Sequence, residues 1–405
     1  MSSTLPWTQK LIGMVREEGG HPRATVVSGG FRTSASQAVL VNSSACHAFE
    51  ADDTHKPSFF HPGSIALPVA LACAEHAGIG NGRDILAAMV AGYEVGTRVG
   101  MGATMGLFLR GWHPQGTTGT FVAGASAAHL LKLNEAETLN ALGIAGTQAS
   151  GLMSAQEGAM VKRMHSGRAS QSGVYAALLA RRGYTGVTDI IETDFGGFLI
   201  TLSDRHEPER VTRGLGQEWE TLAVGFKPYA SVASMHTALY SLREIMREHA
   251  LTADDIASIH AGVHRMTHVH CAWGYKAHDV TEAQMNLFYG LAVMAVDGDA
   301  FIEQYREQRL RDPRILAVIQ RCSASIDAGI MALGDAFRHA VKLTVTTRDG
   351  RTLTREMWYS PGSPDHPLKP EEIVRKFETM AAHALSASDI ATMVELTLNL
   401  ERLDD

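Results

Sequence analysis

Acids, imidazoles and a hydroxyl are concentrated in one short segment, residues 47–64, which reads HAFEADDTHKPSFFHPGS. The flanking stretches are rich in Ala, Val and Leu. We expect a helix over residues 36–53. Glu50, Asp53 and Thr54 would then share one face, because residues three and four apart are neighbours on a helix. Charge at this density beside apolar helices indicates a site, against the simpler interpretation of a solvated helix end.

The same segment is expected to continue into a loop. His47 lies one turn before Glu50 on the same face. The helix must end before Pro57, since the residue preceding a proline is pushed out of the helical conformation. His55 and His61 are therefore expected on a loop that can face a pocket.

Four further clusters contain residues that could bind an anion or move a proton. They are GWHPQGTTG with His113, KRMHSGR with Lys162, His165 and Arg168, FKPY with Lys227 and the later His236, and EAQMNLFY with Tyr289. A Gly- and Thr-rich turn that opens a helix offers free backbone N–H groups to an anion. Each cluster alone also has a structural interpretation, such as a solvated basic cap, a surface Lys or a core Tyr.

Taken together, these clusters suit a small polycarboxylate. Lysines bind carboxylates, and removal of a proton next to a carboxylate builds negative charge that positioned cations stabilise. An imidazole suits the proton transfer because its reference pKa of ~6.5 lies near working pH. We therefore expect a small anionic substrate.

Composition excludes several other classes. The formal net charge is −7 without any Lys/Arg run, which disfavours nucleic acid and anionic membranes as partners. The 4 Cys are scattered without a CxxC pair, against zinc ribbons, iron–sulfur ligation and disulfide scaffolds. No signal-peptide profile or membrane-spanning apolar run is present, so we expect a cytoplasmic protein.

The elements that must position these residues change character along the chain. The first part predicts Ala-rich helices over 64–76, 82–106, 117–131, 134–151 and 167–182, with a capping-box pattern at Asn134 and Glu137. Later, alternating stretches predict strands over 256–264, 341–347 and 352–359, the last two joined at Asp349-Gly350.

We therefore expect a mainly α protein of two domains. A helical domain spans 1–218, and a smaller α+β domain spans 219–369. Residues 370–405 are helical in pattern again and are expected to pack back on the helical domain.

The order of the motifs resembles the MmgE/PrpD family along nearly the whole chain. HAFExDDTH with a following HP, GWHPxGTxG, KRMHSGRAS, FKPY with a following MH, and TEAQMNLFYGLA carry the resemblance. The family includes 2-methylcitrate dehydratases, cis-aconitate decarboxylase and an iminodisuccinate epimerase. The resemblance implies a large all-helical domain, a smaller α+β lid domain, a cleft active site, a homodimer, and no required metal or organic cofactor. By motif, the family's site positions fall on Glu50, Thr54, His61, His113, Lys162, Lys227 and Tyr289.

This sequence departs from the family pattern in several places. Glu50 stands where the family commonly has Asp, and the loop to His61 is one residue longer than in the decarboxylase. Residues 230–233 read ASVA where the family often has Cys or His and then a basic or polar residue, so a substrate-contacting side chain is expected to be missing and the resemblance selects neither 2-methylcitrate nor cis-aconitate. The N-terminus is also short for the family, which normally has further helices before the segment 24–27. We expect either a misplaced start codon or a trimmed domain whose exposed apolar surface favours a homodimer.

Our preferred hypothesis is a cofactor-independent lyase of the dehydratase type, which removes an α-proton from a small di- or tricarboxylate and expels a β-hydroxyl. In this scheme Lys162 and Lys227 bind carboxylates, and replacing either by Ala should hardly change stability. The expected catalytic residues are His61, His113, Glu50, Thr54 and Tyr289, and further substrate-binding residues are Asp53, His165, Arg168 and His236. One alternative is an epimerase or isomerase, which needs the same α-proton removal but returns the proton. Another is a decarboxylase of a related polycarboxylate.

Two other classes stay open. A metal hydrolase could use Asp52, Asp53, His55, His61 and His113, although no HExxH spacing is present. A non-catalytic binding protein descended from an enzyme would have the same fold.

Overall fold

The computed structural model describes residues 2–157 and 159–404 and is mainly α-helical, as expected. Its contacts divide the chain into two compact units. The helical unit contains Met1–Ala155, Met160–Val224 and Val374–Asp405, and the mixed unit contains Gln156–Ala159 and Gly225–Ile373.

The N-terminal part of the chain, up to the end of the helical unit's second segment, contributes ten helices among the described residues. They are α1 (Pro6–Glu18), α2 (Ala35–Cys46), α3 (Gly63–Ala77), α4 (Gly82–Leu109), α5 (Pro114–Thr117), α6 (Gly119–Leu130), α7 (Glu135–Gly146), α8 (Val161–Ala180), α9 (Phe198–Leu202) and α10 (Glu209–Thr212). Short strands lie between them and after them: β1 (Ala24–Val26), β2 (Phe31–Thr33), β3 (Asp53–His55) and β4 (Val224–Phe226). Strands β1 and β2 pair antiparallel.

Small residues allow the central helices to approach closely. Helix α6 is buried on nearly every side. A Cβ added at Gly92 of α4 would lie 2.1 Å from Ser126 Oγ of α6, and one at Gly173 of α8 would lie 2.5 Å from the backbone N of Gly124. Only Gly fits where backbones approach this closely, so the Ala- and Gly-rich composition is what packs α4, α6 and α8 together.

The expected helices largely form, and one does not. The capping box of α7 is present, with the Asn134 side chain accepting from the N–H of Glu137. The helix expected over residues 36–53 is wrong, because α2 ends at Cys46. On a helix, His47 and Asp52 would point about 140° apart. A turn instead brings His47 Nδ1 within 2.7 Å of Asp52 Oδ2.

The mixed unit is built around a four-stranded sheet. Its strands are β5 (Ile256–Val263), β6 (Cys322–Ile326), β7 (Val341–Thr347) and β8 (Thr352–Met357), in the order β6-β5-β7-β8. β5 pairs parallel with β6 and antiparallel with β7, and β7 and β8 form the expected hairpin. Its helices are α11 (His236–Glu248), α12 (Arg265–Cys271), α13 (Val280–Met285), α14 (Leu287–Asp297), α15 (Pro313–Ile319) and α16 (Ala328–Ala332).

Two helices follow, α17 (Pro370–Ala381) and α18 (Ala387–Leu398). Beyond α18, the carbonyl of Leu403 accepts from the N–H of Gly82, and the carbonyl of Glu401 accepts from Arg83 Nε at the start of α4. Lys376 Nζ of α17 donates to the carbonyl of Ala51 at 2.5 Å. Among the residues described, no helix is long and apolar enough to cross a membrane.

Candidate active site in the helical unit

The segment between α2 and β3 leaves the helix by a sharp turn. His47 caps the C-terminus of α2, and Glu50 has a left-handed backbone conformation with φ 52°. For a residue with a Cβ this conformation costs on the order of 1–3 kcal/mol and persists only where the surroundings hold it. The contacts of the Glu50 side chain stabilise this backbone conformation.

Glu50 accepts two charged hydrogen bonds from the first turn of α8. Its Oε1 lies 2.5 Å from Lys162 Nζ and 2.6 Å from Arg163 Nη1. All three side chains are buried, with exposures of 2% for Glu50, 5% for Lys162 and 1% for Arg163. Two cations therefore share one carboxylate in a low-dielectric setting, where their attraction for an anion is strong. Replacing Lys162 is then expected to lower stability as well as activity, contrary to the expectation from the sequence.

Next to this triad, one carboxylate faces two imidazoles. Asp52 Oδ2 lies 2.7 Å from Nδ1 of His47, and Asp52 Oδ1 lies 3.6 Å from Nδ1 of His61. Nδ1 of His61 is also 2.6 Å from the carbonyl of Asp53 and 3.1 Å from Thr54 Oγ1. A carbonyl can only accept, so the neutral His61 carries its proton on Nδ1 and its lone pair on Nε2.

Four imidazoles form a row. The ring centroids of His61 and His47 are 5.5 Å apart, those of His47 and His113 are 6.0 Å apart, and those of His113 and His165 are 5.0 Å apart. The Nδ1 atoms of His113 and His165 are 2.8 Å apart, so one ring donates to the other. His165 and Lys162 are three residues apart and share a face of α8.

Three of these imidazoles, His47, His113 and His165, are held neutral. Burial lowers the pKa of His113 well below its usual range, and nearby Lys162 lowers it further. Burial also lowers the pKa of His165 to about 4 and, against the effect of Asp52, lowers the pKa of His47. A neutral imidazole can accept a proton at neutral pH, which is the state that a general base needs.

Gln115 holds His61 in place. The N–H of His61 donates to Gln115 Oε1 at 3.2 Å, and Gln115 Nε2 donates to the carbonyl of His61 at 3.1 Å. Because Gln115 follows His113 by two residues, this pair of bonds ties the backbone of one imidazole to the segment that carries another.

Asp53 anchors the start of α3. Both of its carboxylate oxygens accept from the N–H of Gly63, at 3.1 and 3.0 Å, and Oδ2 also accepts from the hydroxyl of Tyr93 at 2.7 Å. These contacts give Asp53 a role in positioning the loop that carries His61, whereas the sequence suggested that it binds substrate.

The remaining candidates of the helical unit lie elsewhere. His55 is fully buried and contacts Ser58 Oγ at 2.7 Å and Glu220 Oε2 at 3.0 Å. Arg168 is exposed, lies about 120° around α8 from Lys162, and contacts Gln171. Within residues 2–157 and 159–404, no three His, Cys, Asp or Glu side chains are placed to hold a metal ion together.

Three expected site residues lie in the mixed unit. Lys227 is buried there, and His236 Nε2 lies 3.0 Å from the carbonyl of Ser231. Tyr289 is fully buried between the rings of Tyr275 and Tyr305, and its hydroxyl donates to the carbonyl of Gln304 at 2.7 Å. Burial raises the pKa of Tyr289. This environment is that of a core tyrosine.

Sequence reasoning missed several residues of this site. The sequence showed that Asp52 and Asp53 lie near His47 along the chain. Only the turn after α2 makes Asp52 the partner of His47. Arg163 stood in the basic cluster without a role. No sequence pattern around Gln115 indicates that it contacts His61. The same holds for Lys376, which contacts Ala51 although it lies 325 residues later in the chain.

Comparison with known proteins agrees with the motif order. The family model of the MmgE/PrpD N-terminal domain matches residues 1–210, and the family model of the MmgE/PrpD C-terminal domain matches residues 229–402. A cis-aconitate decarboxylase-like protein oryM of Aspergillus oryzae is 29% identical over 426 residues, covering 100% of this chain and 88% of the relative. The cis-aconitate decarboxylase of Aspergillus terreus is 29% identical, covering 100% of this chain and 86% of the relative. That of Homo sapiens is 27% identical, covering 91% and 77%. With both domains matched in order, the chain belongs to the MmgE/PrpD family.

Proposed function

We propose that this protein is a lyase that acts on a small di- or tricarboxylate by moving a proton at carbon. The observation that carries the proposal is the row of four imidazoles, of which His47, His113 and His165 are buried and have lowered pKa values, next to two buried cations in the helical unit. The imidazoles accept the proton, and the cations stabilise the negative charge that develops on the substrate carboxylate.

Among the four imidazoles, His61 is the best candidate for the base. Its side chain is 20% exposed, whereas the other three rings are more deeply buried. The carbonyl of Asp53 fixes the proton on Nδ1, so Nε2 has the lone pair that takes the proton from carbon.

Dehydration is the first candidate reaction. The C–H electron pair forms the new double bond, the proton passes to a neutral imidazole, and the imidazolium so formed gives that proton to the departing β-hydroxyl, so that water leaves. An imidazole with a lowered pKa, such as His113, is a strong acid once protonated, so it returns the proton readily. In this scheme neither a metal nor an organic cofactor takes part.

Decarboxylation is the second candidate, and the names of the relatives favour it, because they are cis-aconitate decarboxylases. In that reaction a C–C bond breaks, carbon dioxide leaves, and the electron pair left on carbon takes a proton from an imidazole that water has protonated. The same buried cations would bind the carboxylates that remain.

A substrate panel followed by NMR in deuterated buffer tests both reactions. The panel contains cis-aconitate, 2-methylcitrate, and hydroxy-, methyl- and amino-substituted di- and tricarboxylates. A new conjugated alkene identifies dehydration, and released carbon dioxide identifies decarboxylation. Deuterium exchange without net conversion identifies an epimerase.

Matched variants assign the chemistry to the site. We expect His61→Gln to lower turnover by ~10²–10⁴, typical for loss of a general acid or base. His129→Gln, which changes an imidazole on the exposed side of α6, should leave turnover unchanged. Activity should also survive a chelator. Equal loss in both variants, or no conversion and no exchange with any panel member, would refute the proposal.

A further inference from the structure

Asp52 is a carboxylate of the helical unit that lies close to two rings of the imidazole row. Its Oδ2 lies 2.7 Å from Nδ1 of His47, and its Oδ1 lies 3.6 Å from Nδ1 of His61. The Asp52 side chain is only 5% exposed, so water screens these interactions weakly. A charge in this position acts on both rings at once.

The contact with Asp52 decides the tautomer of His47. A carboxylate can only accept, so the neutral ring carries its proton on Nδ1 and its lone pair on Nε2. Nε2 of His47 is buried, and it has no hydrogen-bond partner among residues 2–157 and 159–404. A buried acceptor without a partner costs on the order of 1–3 kcal/mol, which is a reason to look for a role.

The position of His47 suggests that role. Its ring lies between those of His61 and His113, at 5.5 and 6.0 Å. His47 therefore occupies the middle of the row, behind the more exposed His61. Both rings have the lone pair on Nε2: Nδ1 of His47 contacts Asp52, whereas Nδ1 of His61 contacts the carbonyl of Asp53 and lies 3.6 Å from Asp52 Oδ1.

We propose that Asp52 is a positioning residue that keeps His47 as an Nε2 base and stabilises the positive charge when either His47 or His61 takes a proton. The kinetic part of this inference rests on the proposed function. Protonation of either Nε2 gives an imidazolium whose Nδ1 lies within 3.6 Å of Asp52, so the charge forms next to its counter-ion. No other atoms or electrons need to move.

Other charged or titratable groups lie near these rings, near the carboxylates beside them, or in contact with the segment that carries them. They are Cys46 at the end of α2, Glu50 and Asp53 on the same segment, Tyr93 of α4, His113 before α5, Lys162, Arg163 and His165 of α8, and Lys376 of α17. Burial and Lys162 lower the pKa of His47, while Asp52 and Glu50 raise it. Asp52 is the group in direct contact, so its removal should have the largest effect.

Kinetics with Asp52→Asn test the inference. We expect kcat to fall by ~10²–10⁴ with a smaller change in KM, because the loss is in proton transfer. The acid limb of the kcat/KM profile should move to lower pH by about one unit or more, since a base without its counter-ion is harder to protonate. Asp52→Glu retains the negative charge, so its acid limb should lie near the pH of the wild-type limb.

The chain offers a matched control in His55 and Glu220, a second buried imidazole with a carboxylate partner at 3.0 Å. Glu220→Gln removes a similar pair outside the row and should leave the position of the limb unchanged. An unmoved limb in Asp52→Asn, or an equal movement in Glu220→Gln, overturns the inference.

NMR of the ring nitrogens gives a second test that needs no substrate. In the wild-type protein the neutral His47 must carry its proton on Nδ1, and in Asp52→Asn its pKa should fall by about one unit or more. Wild-type His47 with the proton on Nε2 overturns the inference even if the variant does not fold. Failure of every substrate, with these NMR results as expected, overturns the proposed function and leaves the role of Asp52 intact.

Discussion

Replacing Glu50 by Gln should be one of the most damaging single changes in the helical unit. The carboxylate of Glu50 accepts from Lys162 Nζ at 2.5 Å and from Arg163 Nη1 at 2.6 Å, all three being buried. Gln has nearly the same shape but no charge. The change would therefore leave two neighbouring buried cations without their shared anion.

The magnitude follows from that geometry. Breaking a buried ion pair by removing one partner costs about 3–5 kcal/mol, because an uncompensated charge stays inside. Lys162→Met should cost less, about 1–3 kcal/mol, since Glu50 keeps Arg163 as a partner. Glu50→Asp retains the charge but shortens the reach by one methylene, so its effect should lie between wild type and Glu50→Gln.

Denaturant unfolding followed by circular dichroism measures these differences. The control is Lys132→Met, which removes an exposed ion pair with Asp84 at 2.7 Å, where the side chains are 56% and 36% exposed. That change should cost less than about 1 kcal/mol and should become smaller still at high salt. The Glu50→Gln effect should depend little on salt.

Two results would refute the reasoning. One is a Glu50→Gln protein as stable as the Lys132→Met control. The other is a Lys162→Met protein less stable than Glu50→Gln, because the triad as described makes the shared carboxylate its most important member.

Three further predictions concern pH, packing and assembly. Since the pKa of His165 falls from 6.5 in the unfolded chain to about 4, its stabilising contribution is complete above about pH 6.5 and is lost as pH falls towards 4. After allowance for solvent screening, we expect this loss to lower the free energy of unfolding by about 2 kcal/mol. In His165→Gln the free energy of unfolding should therefore fall less between about pH 6.5 and pH 4 than in the wild-type protein. Gly167→Ala should destabilise the protein, because the added Cβ would lie 2.2 Å from the carbonyl O of Leu40. Gly13→Ala should stabilise it by about 0.5–1 kcal/mol, because nothing lies within 4 Å of the added Cβ. Equal unfolding midpoints for the two variants would contradict this prediction. We also expect a homodimer, and light scattering that gives a monomer of 43.6 kDa would count against it.

Local patterns predicted much of the secondary structure. The Asn134–Glu137 capping box and the β7–β8 hairpin at Asp349-Gly350 depend on side chains and backbone preferences within a few residues, so they could be read directly. The same is true of the Ala-rich helices, whose composition already indicates close packing.

The helix expected through Glu50 was wrong because distant partners decided that segment. Its left-handed backbone is held by Lys162 and Arg163, which lie 112 and 113 residues away. No local pattern records a pairing at that separation, and local helical preference gave way to two buried ion pairs.

The residue types of the site, by contrast, were evident from the sequence alone: imidazoles, carboxylates and lysines at family positions, with the chemistry of a polycarboxylate. Which of them act together was decided only by tertiary structure. Asp52 rather than Asp53 holds His47, and Gln115 holds His61. These choices depend on hydrogen-bond distances of about 3 Å between segments that the packing of α2, α3, α5 and α8 brings together. A hydrogen bond is lost when its two atoms move apart by less than about 1 Å, and the spacing of residues along the sequence does not determine distances to that precision.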